Sequence, residues 1–123
     1  MTTYLGPDAR VSGNAWVSGN ARVSGNAQVS GNAWVSGNAR VSGNARVSGN
    51  ADILTIGPAM SSGRYTTAHR DAVIGVRVNC GCFSGTLSEF VAAVEKTHAN
   101  APDFLNEYRG YVALIGQRFK VQP

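Results

Sequence analysis

The sequence predicts a β-helix followed by a small α+β unit. Two observations carry this fold class: residues 9–51 repeat one six-residue unit without interruption, and the remaining residues combine β-rich stretches with two helical stripes. The chain has 123 residues and 15 glycines, and 43% of its residues are hydrophobic although only 15% are charged. This apolar share argues against disorder, and no apolar run is long enough to span a membrane. We place the repeat domain at 1–53 and the second domain at 54–123.

The repeated unit reads Ala-x-Val-Ser-Gly-Asn and predicts a short strand followed by a turn. A period of six does not fit the 3.6 residues per turn of an α-helix. Ala-x-Val instead places Ala and Val on one face of a strand and x on the other, and Gly-Asn tolerates the left-handed backbone of a turn. Three units then make one turn of a three-sided coil. An amyloid-like stack of flat strands is the alternative.

The repeat resembles the hexapeptide-repeat, left-handed parallel β-helix family over residues 9–53. The resemblance implies a short left-handed parallel β-helix, and it implies a parallel homotrimer because such proteins very often trimerise. Many of them are acyltransferases that use a histidine base in a cleft between subunits. Here the two histidines, His69 and His98, lie outside the repeat, and no insertion interrupts it. We therefore expect no enzyme and no cofactor, and an acyltransferase-like enzyme is the least favoured hypothesis.

The x positions are predicted to form three outer ladders, because residues 18 apart stack at the strand spacing of about 4.8 Å. The three faces carry Arg10, Gln28 and Arg46; Trp16, Trp34 and Asp52; and Arg22 and Arg40. Exposed tryptophan favours a buried contact, and neighbouring arginine adds cation–π attraction. We predict an oligomer or partner interface at Trp16, Trp34, Arg22 and Arg40. Plain solvent exposure of these side chains is the alternative.

The second half is predicted to contain a β-hairpin and to cap the coil. Solenoid ends expose apolar interior and strand edges, so a short coil needs a cap or a partner chain. Residues 53–56 form a last strand. The hairpin follows, with strands at 64–69 and 73–79 and a turn at 70–72.

Two helices are predicted after a connection at 80–85. Thr86 and Glu89 form a capping box that begins the first helix, at 87–98. A second helix begins at Pro102 and extends to about residue 119, because proline suits a first turn and aromatic residues recur at helical spacing. The second domain is therefore a β-hairpin plus two helices.

A second resemblance rests on the run Val78-Asn79-Cys80-Gly81-Cys82-Phe83-Ser84-Gly85-Thr86, with Thr66-Thr67 before it and Thr97-His98 after it. This stretch looks like a small uncharacterised domain that often follows hexapeptide repeats in bacteriophage and prophage proteins. The resemblance brings no reaction with it. It implies a phage-encoded protein in the reducing cytoplasm of a bacterial host.

An anion site is predicted near the start of the first helix, where backbone N–H groups are free to bind phosphate. Arginine and threonine side chains of the hairpin are expected to close around the same ion. The candidate ligand-binding residues are Arg64, Thr66, Thr67, Arg77, Gly81, Gly85 and Thr86. An ordinary capped helix with solvated arginines is the alternative.

Cys80, Cys82 and His98 are weak metal candidates, and we predict no metal site. The cysteines form C-x-C, which is not the C-x-x-C spacing of redox and zinc sites. Small buried residues at a strand–helix junction are the favoured interpretation.

These features favour a non-catalytic, phage-encoded binding protein. The net charge of +4 is spread along the chain, so nucleic-acid binding is not favoured. We predict a host-defence antagonist of the anti-CRISPR or anti-signalling type, which sequesters an anionic, nucleotide-like signal or blocks a host defence protein. The alternative is a structural module of phage assembly or of the phage tail.

Overall fold

A computed structural model describes residues 3–123, and its first half is a β-solenoid. Strand pairs 18 residues apart, such as Arg22 with Arg40, run parallel. The eight coil strands are β1 Tyr4–Leu5, β2 Arg10–Val11, β3 Trp16–Val17, β4 Arg22–Val23, β5 Gln28–Val29, β6 Trp34–Val35, β7 Arg40–Val41 and β8 Arg46–Val47. They form three separate sheets with the orders β1-β4-β7, β2-β5-β8 and β3-β6, so the coil has three sides and is not one flat stack. Residues 1 and 2 of the predicted repeat domain lie outside the described residues.

The inner face of the coil consists of the repeated Ala and Val side chains, as the period predicts. Val23, Val29 and Val35 are fully buried, whereas the x side chains point outward. Burial decreases toward the first coil, where Val11 is 37% exposed and Leu5 is 51% exposed. The coil is therefore open at its first turn and closed at its last.

Glycine at the turns is required by both backbone angle and space. Gly25 has a φ of +63°, and a Cβ there would lie 2.8 Å from the carbonyl oxygen of Gly43 in the next coil. Gly37 has a φ of +61° but nothing within 4 Å of the same Cβ position. The two positions therefore separate the cost of the left-handed backbone from the cost of the coil-to-coil clash.

Gly25→Ala is expected to lower the free energy of unfolding by at least about 2 kcal/mol, and Gly37→Ala by about 1 kcal/mol. Both variants place a side chain at positive φ, but only the first also separates two coils. Chemical denaturation followed by far-UV circular dichroism measures both. Equal losses for the two variants would contradict the close packing of the turns.

The repeat ends one unit earlier than its sequence suggests. Gly49 has an extended φ of −164°, and Asn50–Asp52 form a 3-10 helix. Ala51 is consequently exposed and lies outside the core. The prediction that Asp52 continues the tryptophan face is wrong, because its carboxylate accepts hydrogen bonds from the backbone N–H and the hydroxyl of Ser48, both at 3.0 Å. Because no further coil follows Asp52, its side chain hydrogen-bonds the open edge of the last coil instead of extending an outer ladder.

An antiparallel sheet follows the coil. Its strands are β9 Ile53–Ile56, β10 Thr66–Asp71, β11 Gly75–Cys80 and β12 Phe83–Gly85, in the order β12-β11-β10-β9. The predicted hairpin is present, but its turn lies at 72–74 because Asp71 accepts hydrogen bonds from the backbone N–H groups of Val73 and Ile74. The predicted connection at 80–85 contains a strand, β12.

Two helices follow the sheet, as predicted, and they cover one of its faces. They are α1 Leu87–Thr97 and α2 Pro102–Phe119. The capping box is present: Thr86 Oγ1 accepts from the Glu89 N–H at 3.1 Å, and Glu89 Oε1 accepts from the Thr86 N–H at 2.8 Å. Phe90, Tyr108 and Ile115 form a core with the sheet. Within residues 3–123, neither helix is long and apolar enough to cross a membrane.

The other face of the sheet closes the last coil with side chains. Thr67 Oγ1, His69 Nε2 and Asp71 Oδ2 accept hydrogen bonds from the backbone N–H groups of Arg40, Ser42 and Asn44, at 3.0, 3.3 and 3.2 Å. The three acceptors are two residues apart along β10, because alternate side chains of a strand share one face. The three N–H donors have the same spacing along the coil. One coil earlier, the N–H groups of Arg22, Ser24 and Asn26 donate to backbone carbonyls of the next coil. Strand β10 thus replaces a missing coil.

Candidate anion-binding cleft

A cationic cleft lies between one face of the coil and the loops of the second unit. Its cavity has a volume of 510 Å³. Three guanidinium groups line it, those of Arg22, Arg40 and Arg64, and none of its described lining residues is acidic. The remaining lining residues are Asn20, Asn38, Gly63, Tyr65 and Gly81. Clustered arginine without a counter-charge gives the cleft a positive potential.

The coil places two of these arginines side by side. Arg22 and Arg40 are register partners on the adjacent parallel strands β4 and β7. The guanidinium carbon of Arg22 lies 5.2 Å from the ring centroid of Tyr4, and Arg40 Nη1 donates to the Gly81 carbonyl at 2.6 Å. The repeat therefore supplies a fixed pair of cations along one face, and the second contact ties that pair to the second unit.

The third arginine comes from the loop that precedes β10. This loop is closed by backbone hydrogen bonds from Ala59 N–H to the Arg64 carbonyl at 2.9 Å and from Gly63 N–H to the Ala59 carbonyl at 2.7 Å. The Arg64 side chain lies over Gly81, where a Cβ would be 3.0 Å from Arg64 Nη1. Glycine at 81, with a φ of +58°, permits this close approach.

The structure brings together only part of the anion site that the sequence predicts. Arg64 and Gly81 lie in the cleft, whereas Thr66 and Thr67 are fully buried. Arg77 is held by Asp71 at 2.9 Å and by Ser84 Oγ at 3.0 Å.

The helix start is likewise not available to an anion. Thr86 is bonded to Glu89, whose Oε1 lies 2.6 Å from a Cβ built on Gly85. The Glu89 carboxylate therefore already lies at the N-terminus of α1, where it accepts from the Thr86 N–H, while Thr86 Oγ1 accepts from the Glu89 N–H.

The residues that sequence reasoning missed are those of the coil face. Arg22 and Arg40 are predicted to belong to an interface with Trp16 and Trp34, but the structure places them in the cleft. Their spacing of 18 residues was enough to predict that they are neighbours. No local sequence pattern predicts which face of the coil the loops of the second unit contact.

The tryptophan pair forms on another face of the coil, as the repeat predicts. The rings of Trp16 and Trp34 are stacked with centroids 5.1 Å apart and planes 7° apart. The two residues are 60% and 56% exposed. Such a stacked, exposed apolar surface is available for contact with another chain.

A second cleft, which we call the aromatic cleft, lies beside the first and has a volume of 430 Å³. Phe83, Phe90, Tyr108 and His98 contribute its rings, and Arg64 belongs to this cleft as well as to the cationic one. Its other lining residues are Cys80, Cys82, Ala93, Val94 and Thr97.

The weak metal candidates Cys80, Cys82 and His98 all line the aromatic cleft. Within residues 3–123, however, no three His, Cys, Asp or Glu side chains are arranged to hold a metal ion. The His98 ring instead stacks on Tyr108, with centroids 5.2 Å apart.

Comparison with known proteins defines the class of the first half. The family model described as the YdcK beta solenoid repeat matches residues 9–25, 15–31, 27–41 and 39–51. The matches cover the coil and end at Ala51, in the 3-10 helix that follows the last coil strand, so the coil is a repeat β-solenoid. No curated protein and no solved structure matches the chain.

Proposed function

We propose that the chain is a non-catalytic, phage-encoded binding protein that sequesters an anionic, nucleotide-like signal and so antagonises a bacterial host defence. The observation that carries the proposal is the convergence of Arg22, Arg40 and Arg64 on one cleft. Arginine offers phosphate a planar pair of donors and keeps its charge at every physiological pH. Tyr65, which also lines the cleft, adds an aromatic ring.

The three arginines favour a phosphate ligand over a single carboxylate. They come from two separate coils and one loop, so they surround a volume instead of forming one point contact. Several guanidinium groups without a lining carboxylate match the multiple charges of a nucleotide phosphate chain. The cleft is open to solvent, which suits capture of a diffusing small molecule.

A binding role is favoured over catalysis because both histidines are engaged in the fold. His69 is fully buried in the cap and bonded on both ring nitrogens. His98 packs against the rings of Tyr108 and Phe104. Neither side chain faces the cationic cleft.

Arg64→Ala and Arg22→Ala are each expected to weaken nucleotide binding by at least about tenfold, since one charge-assisted hydrogen bond contributes about 1.5–3 kcal/mol. Calorimetry against cyclic nucleotides and nucleoside diphosphates measures the change. Arg10→Ala removes the same charge from another coil face and is the matched control. Absence of binding by every nucleotide, or an equal loss with Arg10→Ala, would overturn the proposal. Recovery of the protein in purified phage particles would then favour the structural role.

We also propose that the coil is left-handed and that the protein is a parallel homotrimer joined at the Trp16–Trp34 face. The support for the trimer is the stacked, largely exposed tryptophan pair, because so large an aromatic surface is more stable when it is buried between chains. Each chain would then keep its own cationic cleft.

The double variant Trp16→Ala with Trp34→Ala is expected to convert the trimer into monomers of about 12.9 kDa. Light scattering coupled to size exclusion measures the mass of each form. Arg10→Ala with Gln28→Ala alters a different ladder and should leave the trimer intact. A wild-type protein that elutes as a monomer would contradict the trimer.

A further inference from the structure

We infer that the ligand is a nucleotide whose aromatic base occupies the aromatic cleft while its phosphates occupy the cationic cleft. The inference rests on the proposed function and specifies its ligand. It follows from the position of Arg64, which lines both cavities. A ligand that uses both clefts must carry an anionic part and a planar apolar part joined at this residue.

The two cavities are neighbours along the chain as well as in space. Gly81 lines the cationic cleft, while the residues on either side of it, Cys80 and Cys82, line the aromatic cleft. The Arg64 side chain lies directly over Gly81. The boundary between the clefts is therefore one side chain and one turn of backbone, which a ribose can cross.

Rings set the shape of the aromatic cleft. Phe83 and Phe90 are inclined at 54° with centroids 5.5 Å apart, and Phe90 meets Tyr108 edge to face at 6.0 Å. His98 stacks on Tyr108, with the ring centroids 5.2 Å apart. Phe90 and Tyr108 are almost completely buried, so the partly exposed rings of Phe83 and His98 are the ones that a planar π-system can contact by stacking or by its edge. The volume of 430 Å³ is within the range of small-molecule sites.

Polar groups at the edge of the cleft favour a base over an aliphatic tail. Thr97 and His98 lie beside the rings. A heterocyclic base presents donors and acceptors that these groups can bind, whereas an acyl chain leaves them unpaired.

Ala93→Trp tests this inference because Ala93 lines the aromatic cleft and does not line the cationic cleft. Ala92→Trp is the matched control, since the adjacent exposed alanine lines neither cleft. The probes are pyrophosphate and the diphosphates of adenosine, guanosine, cytidine and uridine, titrated by calorimetry. Base stacking on aromatic side chains predicts that the preferred diphosphate binds wild type at least about tenfold more tightly than pyrophosphate.

Ala93→Trp should remove that preference and leave pyrophosphate binding unchanged, while Ala92→Trp should preserve both affinities. Phe83→Ala supplies a second variant, expected to lower nucleotide affinity without filling the cleft. If no nucleoside diphosphate binds wild type more tightly than pyrophosphate, or if Ala93→Trp and Phe83→Ala both leave the preference intact, the inference is overturned and the anion-binding function stands. If neither pyrophosphate nor any nucleotide binds, the proposed function fails too.

Discussion

Asp71→Ala is expected to lower the free energy of unfolding by about 3 kcal/mol or more and to loosen the cap of the coil. The Asp71 side chain is fully buried and receives hydrogen bonds from four donors: the N–H groups of Asn44, Val73 and Ile74, and Nε of Arg77. Alanine leaves all four without their acceptor, and the guanidinium of Arg77, only 18% exposed, loses its counter-charge. Thermal and chemical denaturation measure the loss.

Two comparisons separate the causes of this loss. Asp8→Ala removes an exposed carboxylate at the open end of the coil and should change stability by no more than about 0.5 kcal/mol. Asp71→Asn keeps one acceptor oxygen and removes the charge, so its stability should lie between those of wild type and Asp71→Ala. A loss below 1 kcal/mol for Asp71→Ala would contradict the assignment of this side chain to the cap.

The pKa of Asp71 predicts how the stability of the fold changes in strong acid. Although burial raises the pKa of Asp71, hydrogen bonds from Arg77, Ile74 and Val73 outweigh burial and lower it to about 2. Because the folded-state pKa lies below the ordinary value of 3.8, the stabilising contribution is complete above about pH 3.8 and is lost as the pH falls toward 2.

Stability is also expected to decrease below about pH 6.5, because His69 must be neutral to hold the cap. Its Nε2 accepts from the Ser42 N–H at 3.3 Å and faces the amide nitrogen of Asn79 at 3.2 Å, while Nδ1 donates to the Arg70 carbonyl at 2.9 Å. A second proton would point at two donors in a buried site. The pKa of His69 is lowered, mainly by burial and also by the nearby Arg77. The Arg70 carbonyl and Asp71 raise this pKa, but burial outweighs them.

The direction of this pH dependence follows from the number of protons that the folded and unfolded states bind. An unfolded histidine gains its proton near pH 6.5, whereas folded His69 resists it, so the unfolded chain binds more protons and is favoured in acid. The stabilisation is complete above about pH 6.5 and decreases by up to about 1.4 kcal/mol for each pH unit below it. Unfolding free energies measured between pH 5 and 8 give this slope.

His69→Gln should flatten that slope, because glutamine offers an acceptor oxygen that does not titrate over this range. His98→Gln should leave the slope as in wild type, since His98 takes no part in the cap. Parallel pH profiles for wild type and His69→Gln would contradict the neutral, bonded state of His69.

The repeat made the coil predictable, because each six-residue unit repeats the same local choice of strand and turn. The Trp16–Trp34 pair and the Arg22–Arg40 pair follow from that period alone. The capping box of Thr86 and Glu89 was equally predictable, because its chemistry acts within four residues.

The cap and the cleft could not be derived in this way, because both depend on contacts distant in sequence. Thr67 and His69 bond backbone groups 27 residues earlier in the chain. The sequence around Thr67 therefore predicts a ligand-binding residue, whereas its position in the fold makes it a structural residue of the cap. The end of the repeat at Asn50–Asp52 has the same origin, since only the absence of a further coil distinguishes this unit from the preceding ones.

The most direct test of the proposed function is a crystal structure determined with saturating pyrophosphate. We predict density for the anion within hydrogen-bond distance of at least two of the guanidinium groups of Arg22, Arg40 and Arg64. A cleft that remains empty under these conditions, or an anion bound elsewhere on the chain, would contradict the assignment of this cleft as the binding site.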